Sequence, residues 1–152
     1  MHLSSDVIFF LRGKTLATAE SCTGGGIGAE LTSVAGSSAV YKGGIISYCN
    51  EIKEKVLGVD AEILKRYGAV SSPVAEAMAE GARRILSADI AVSVTGLAGP
   101  GGDEFGNPVG TVYIGYADAF RCVSEKYLFS GSREDVRNQA VEAALALILS
   151  FQ

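Results

Sequence analysis

The chain's 152 residues, 48% apolar and 20% charged, have the size and balance of one domain spanning residues 1–152 that can bury its own core, which excludes a two-domain reading. Its net charge of −4 comes without any basic run or basic–aromatic interleaving, so the footprint of a nucleic-acid binder is excluded and the expected partner is a small molecule or another copy of the chain. Cys22, Cys49 and Cys122 form no C-x-x-C spacing, which argues against a disulfide framework or a zinc site and leaves three reduced thiols.

The apolar patch at residues 7–11 is too short for a membrane span and no signal-type cleavage site follows it, so the expectation is a cytoplasmic protein away from membranes. Short apolar runs then alternate with helical patterns. A strand is predicted at residues 15–19, a short helix at 25–33, a strand at 44–49, and short helices at 51–57 and 61–67. Ser72-Pro73 reads as an N-cap and a first-turn proline, opening a helix with Val74, Met78, Gly81 and Ile85 on one face. The run at 90–95, apolar nearly throughout, suits a central strand covered on both faces. Strands at 111–117 and 123–129, joined by the short polar connection 118–121, suit an antiparallel hairpin. Ser132, with Asp135 three residues on, opens a last helix that buries Val136, Ala140, Ala144 and Leu147. The alternation predicts an α/β domain, three layers deep, with a mostly parallel or mixed central sheet.

Chemistry is constrained most by what is scarce. The only histidine is His2, beside a terminus, so no Ser-His-Asp or Cys-His arrangement and few histidine metal sites can be assembled. A serine or cysteine hydrolase built from this chain needs a lysine, tyrosinate or carboxylate as its proton acceptor.

Three stretches concentrate candidates. "TAESCTGG" sets Glu20, Ser21, Cys22 and Thr23 between a strand end and a glycine-opened helix, where α/β proteins present side chains and helix N–H groups to ligands. Taken alone, a Ser or Thr there is more often only an N-cap. Gly24-x-Gly26-x-x-Ala29 also fits a dinucleotide fingerprint, with Glu51 at about the place of a ribose-binding acid, although that fingerprint gives the polar cluster no role. "GGIISYCNEIK" ends a strand at Tyr48, Cys49 and Asn50 with Lys53 one helical turn beyond, so that Tyr48, Asn50 and Lys53 can converge; singly, Lys53 reads more often as a solvated helix lysine. "TGLAGPGGDEFGNPVG" packs six glycines and two prolines into a long loop after the most buried strand, a place that often binds ligands.

These stretches, with "AGSSAVYKGG" and "GAVSSPVAEAMAEGA", resemble in order and separation the C-terminal domain of the CinA (competence-damage-inducible) family, from about Lys14 to the last helix. The resemblance implies a nicotinamide-nucleotide amidase that converts nicotinamide mononucleotide to nicotinic acid mononucleotide and ammonia, without a cofactor or a metal, as a homodimer or higher homo-oligomer. It implies Ser21 as nucleophile with Tyr48 and Lys53 handling its proton. Glycine-rich turns would supply oxyanion and phosphate contacts from Thr23, Gly24 and Gly25 or from Gly96, Ala98, Gly99, Gly101 and Gly102, beside Asn50. Glu20 is a candidate to orient Lys53 or a water, and Arg133 or Arg137 to bind phosphate. The alternative is a non-catalytic nucleotide-binding module that uses the glycine loops alone. Cys49 departs from the serine often found at its position in the family, as does the acidic part of "GPGGDEFGNP".

Overall fold

The computed structural model describes residues 3–152; His2 lies outside the described residues. In chain order the elements are α1 (Leu3–Phe10), β1 (Leu16–Glu20), α2 (Gly26–Thr32), β2 (Tyr41–Ile46), α3 (Asn50–Lys55), α4 (Ala61–Tyr67), α5 (Ser72–Ile85), β3 (Ile90–Gly96), β4 (Thr111–Ala117), β5 (Cys122–Leu128) and α6 (Arg133–Ser150). One five-stranded sheet has the order β2-β1-β3-β4-β5. Its first three strands are parallel, while β4 and β5 add the expected antiparallel hairpin, so the sheet is mixed.

Strand alternation divides the core into two layers. Leu16, Ile90, Val92, Val94, Val112 and Ile114 face α1, α2 and α6, where they meet Val7, Leu11, Ile27, Leu31, Val136, Ala140 and Ala144. Ala17, Ala19 and Ala91 face the other way, against Leu57, Leu64, Val74, Met78 and Ala82. Small residues on that second face let α5 lie close: a side chain at Gly115 would strike the Ala75 carbonyl and Ser93 Oγ. The fold is therefore the expected three-layer α/β/α sandwich.

Several expectations shift in detail. Residues 7–11 belong to α1 and the turn after it, and Val7 and Leu11 are fully buried against the sheet's first face. Strand β2 runs three residues earlier than its predicted 44–49, because the chain turns at Ser47 into α3. The N-cap of α5 is Ser71, so Ser72 and Pro73 are already helical; Ile85 lies 44% exposed at that helix's end while Val74, Met78 and Gly81 are buried. Ser132 caps α6 as predicted, accepting from Asp135 N–H while the Asp135 carboxylate accepts from Ser132 N–H. No helix among the described residues is long and apolar enough to cross a membrane.

Candidate active site

The parallel strands β2, β1 and β3 end at the same edge of the sheet. In register, Glu20 pairs with Ile46 on one side and Val94 on the other, so the next residues outward, Ser47, Ser21 and Thr95, come side by side. The backbone fixes this row: Ser21 N–H donates to Val94 O at 2.9 Å and Ser47 N–H to Glu20 O at 2.8 Å. Helix α2, after β1, covers one face and α5, before β3, covers the other, so the chain leaves β1 and β3 in divergent directions and a crevice opens between them. It is a cleft of about 1030 Å³, lined from the sheet by Ser21, from α3 by Lys53, and from the glycine-rich loop by residues 96–105.

Lys53 is the unusual residue. Its side chain is 1% exposed, and Nζ donates to Ser21 Oγ at 3.0 Å, to Ser47 O at 2.7 Å and, more weakly, to Tyr48 O at 3.5 Å. The short α3 begins directly after β2, so one helical turn carries the lysine back over the strand end. Among the described residues no carboxylate pairs with it. Burial therefore pulls its ammonium down from 10.5 to about 8, the thiols of Cys49 and Cys22 opposing this only in part. A lysine with so low a pKa is a workable proton acceptor near neutral pH, and Ser21 Oγ, itself 7% exposed, is the group it touches.

Cys22, the chemical rival of Ser21, is buried, and desolvation pushes its thiol up to about 11. It is protonated at neutral pH and a poor nucleophile. The turn that carries both residues passes through left-handed conformations at Gly24 (φ 59°) and Gly25 (φ 105°), which glycine adopts without strain. Gly24 N–H returns to Ser21 O and Gly26 N–H to Thr23 O.

The remaining predicted residues divide between the cleft and its supports. Tyr48, Asn50, Gly96, Ala98, Gly99, Gly101 and Gly102 line the cleft. The Tyr48 hydroxyl accepts from Arg133 Nη2 at 3.0 Å, and Lys53 touches Ser21 directly. Glu20 points away from Lys53, correcting the expectation that it orients that lysine or a water. Its buried carboxylate accepts from Thr23 Oγ1, Ile27 N–H and Gly28 N–H, filling the start of α2. An anion is thereby displaced from that helix start, and the dinucleotide fingerprint at Gly24 to Ala29 fails for the same reason; Glu51, its supposed ribose acid, pairs with Lys55 on the surface. Gly24, Gly25 and Thr23 shape the nucleophile turn outside the cleft lining. Arg137 holds that turn, donating through Nε to Cys22 O and through Nη2 to Thr23 O. Arg133 ties the opposite wall, donating through Nη1 to Gly99 O at 2.6 Å.

Sequence reasoning missed three contributors. Ser47, whose carbonyl anchors Lys53, carried no motif signal. Lys65 of α4 lines the far side of the cleft and reads in sequence as an ordinary surface lysine. Asp103 organises the glycine-rich loop by accepting from Phe105 N–H, Asn107 N–H and Asn107 Nδ2, and Asn107 also donates to Val70 O; the Asp-x-x-x-Asn spacing was the available signal.

Comparison with known proteins gives consistent relatives. The CinA C-terminal domain family matches residues 4–151. A CinA-like protein of Geobacter sulfurreducens is 49% identical over 91% of this chain and 33% of its own length, and one of Mycolicibacterium gilvum is 48% identical over 96% and 35%. The chain thus spans about a third of the curated relatives it matches. Among solved structures, the competence damage-inducible protein A of Klebsiella pneumoniae superposes with a TM-score of 0.95 at 39% identity, covering 97% of this chain and 93% of that one. A CinA superfamily protein of Escherichia coli gives 0.96 at 36% identity, covering 99% and 88%.

Proposed function

Because this chain belongs to the CinA C-terminal domain family, and because its buried Lys53 donates to Ser21 Oγ at 3.0 Å with no histidine among the described residues, we propose that it is an amidohydrolase converting nicotinamide mononucleotide to nicotinic acid mononucleotide and ammonia. The Ser21–Lys53 contact is the observation that carries the reading. A lone nucleotide-binding module has no use for a desolvated lysine against a serine, and its expected phosphate site at the α2 start is occupied by Glu20.

The chemistry follows from the geometry. Neutral Lys53 accepts the Ser21 hydroxyl proton as Oγ bonds to the carboxamide carbon. The oxyanion is met by backbone N–H at the Ser21 turn, where Cys22 lines the cleft, a contribution of about 3 kcal/mol per well-placed donor. As the C–N bond breaks, Lys53 returns the proton to the departing nitrogen and ammonia leaves. Water then attacks the acyl-enzyme, Lys53 takes its proton and returns it to Ser21 Oγ as the acyl bond breaks, and the acid product ionises to the carboxylate in solvent.

The test is ammonia release from nicotinamide mononucleotide by purified protein. Ser21→Ala is expected to lose at least roughly a thousandfold in kcat/KM, as when a nucleophile is removed, while Cys22→Ala keeps most of it. No ammonia from the wild type, or loss on Cys22→Ala with retention on Ser21→Ala, rejects the assignment.

A further inference from the structure

Among the described residues one buried side-chain oxygen has no hydrogen-bond partner: Ser47 Oγ. Ser47 is 0% exposed, and an orphaned buried hydroxyl costs about 1–3 kcal/mol. Its backbone is fully committed at the dyad, with N–H on Glu20 O, beside Ser21, and C=O on Lys53 Nζ at 2.7 Å. The hydroxyl sits on the residue that anchors the lysine, and its three staggered positions sweep a short arc beside that carbonyl.

Counting donors shows what it is for. Neutral Lys53 has two N–H bonds and a lone pair, which suit Ser47 O, the distant Tyr48 O and the incoming Ser21 proton. Protonated Lys53 has three N–H bonds, and once Ser21 Oγ is bonded to a substrate atom it is a poor acceptor. We propose that Ser47 is a positioning residue for Lys53, its hydroxyl turning to accept from the ammonium, in the resting enzyme in place of the distant Tyr48 O and after attack in place of Ser21 Oγ, and holding it until the proton moves on. No bond to Ser47 forms or breaks. The proposal rests on the Ser21–Lys53 dyad, not on the identity of the amide.

The probe is a fluorophosphonate, whose phosphorus is attacked by Ser21 Oγ while fluoride leaves and the proton passes to Lys53; adduct formation is followed by mass spectrometry from pH 6 to 10. The wild-type rate should rise with pH through the Lys53 ionisation. Removing an acceptor for the ammonium disfavours the charged form, so in Ser47→Ala the limb should move to lower pH by roughly half a unit, with a plateau rate lowered roughly tenfold. Ser47→Gly also removes the hydroxyl without adding a titratable group and should behave like Ser47→Ala, which covers any failure of the alanine variant to fold. The groups facing Lys53 are unaltered in both variants: Cys22 from the β1 turn and Cys49 from its own helix, with Glu54, Lys65, Asp103 and Arg133 around the cleft. A displaced limb therefore reports the hydroxyl. A limb and plateau equal to wild type within twofold in Ser47→Ala or, should that not fold, in Ser47→Gly, or no Ser21 adduct in the wild type, overturns the proposal. Adduct chemistry as described without ammonia from nicotinamide mononucleotide rejects the substrate and leaves the proposal standing.

Discussion

Burial pushes Lys53 toward its neutral form, and two measurements follow. As a base that must be neutral, it predicts log kcat/KM rising one unit per pH unit below about 8 and levelling above, with that limb lost in Lys53→Ala. The second consequence needs no substrate. A lysine whose folded pKa is about 8 against an unfolded 10.5 binds its proton more tightly in the unfolded chain, so the folded state gains stability as pH rises through that window. Relative to Lys53→Met, which never titrates, the wild type should gain up to about 3 kcal/mol between pH 7 and 11. Denaturant melts of both proteins across that range check it, and a constant difference contradicts the depressed pKa. Sequence brought Tyr48, Asn50 and Lys53 within one turn of each other but not the lysine's burial, because spacing says nothing of which face of a one-turn helix meets the sheet.

Helix α2 is short, and its start is satisfied by a side chain seven residues upstream rather than by a neighbouring cap: Glu20 accepts from Thr23 Oγ1 and from two helix N–H groups. Glu20→Gln turns one acceptor oxygen into an NH2 that faces donors. Such a buried mismatch costs about 1–3 kcal/mol, read as a lowered Tm, and kcat should fall as the Ser21 turn loosens. An unchanged Tm contradicts the capping role. Elements of this kind explain what was legible. The strands at 90–96 and 111–117 and the capped α6 announced themselves because burial on both faces and the Ser132–Asp135 box are local patterns. Helix α1 was missed because its eight residues carry no cap signal and become a helix by packing on α6 and α2. The start of β2 was placed three residues late, at Gly44, whereas the strand already runs through Gly43, and close packing at Gly44 against Thr18 and Tyr41 requires a residue without a side chain there.

For the whole molecule, the sheet edge supplies the chemistry and the loop after β3 and α6 supply the enclosure. On the proposed function, with the α2 start filled by Glu20, the substrate phosphate is left the loop N–H groups of residues 98, 99, 101 and 102 and the cations Lys65 and Arg133 at the cleft wall. Charge-assisted contacts of that kind are among the stronger hydrogen bonds. Nicotinamide riboside, which lacks the phosphate, is therefore expected to show kcat/KM at least roughly tenfold below the mononucleotide. Equal values for the two would mean that the cleft does not read the phosphate. The convergence of strand ends was legible from the order of strands and helices, but the division of labour between the two glycine-rich turns was not, since it depends on a carboxylate folding back into one of them. The clamp from α6 has a consequence in time as well as space. Arg137 reaches Cys22 O across 115 residues of sequence, and Arg133 reaches Gly99 O across 34. During synthesis the nucleophile, the base and the glycine-rich loop all leave the ribosome before the helix that ties them down. On the proposed function, a nascent chain lacking α6 carries Ser21 and Lys53 but neither arginine that ties their surroundings, and activity is expected only once the last helix has arrived.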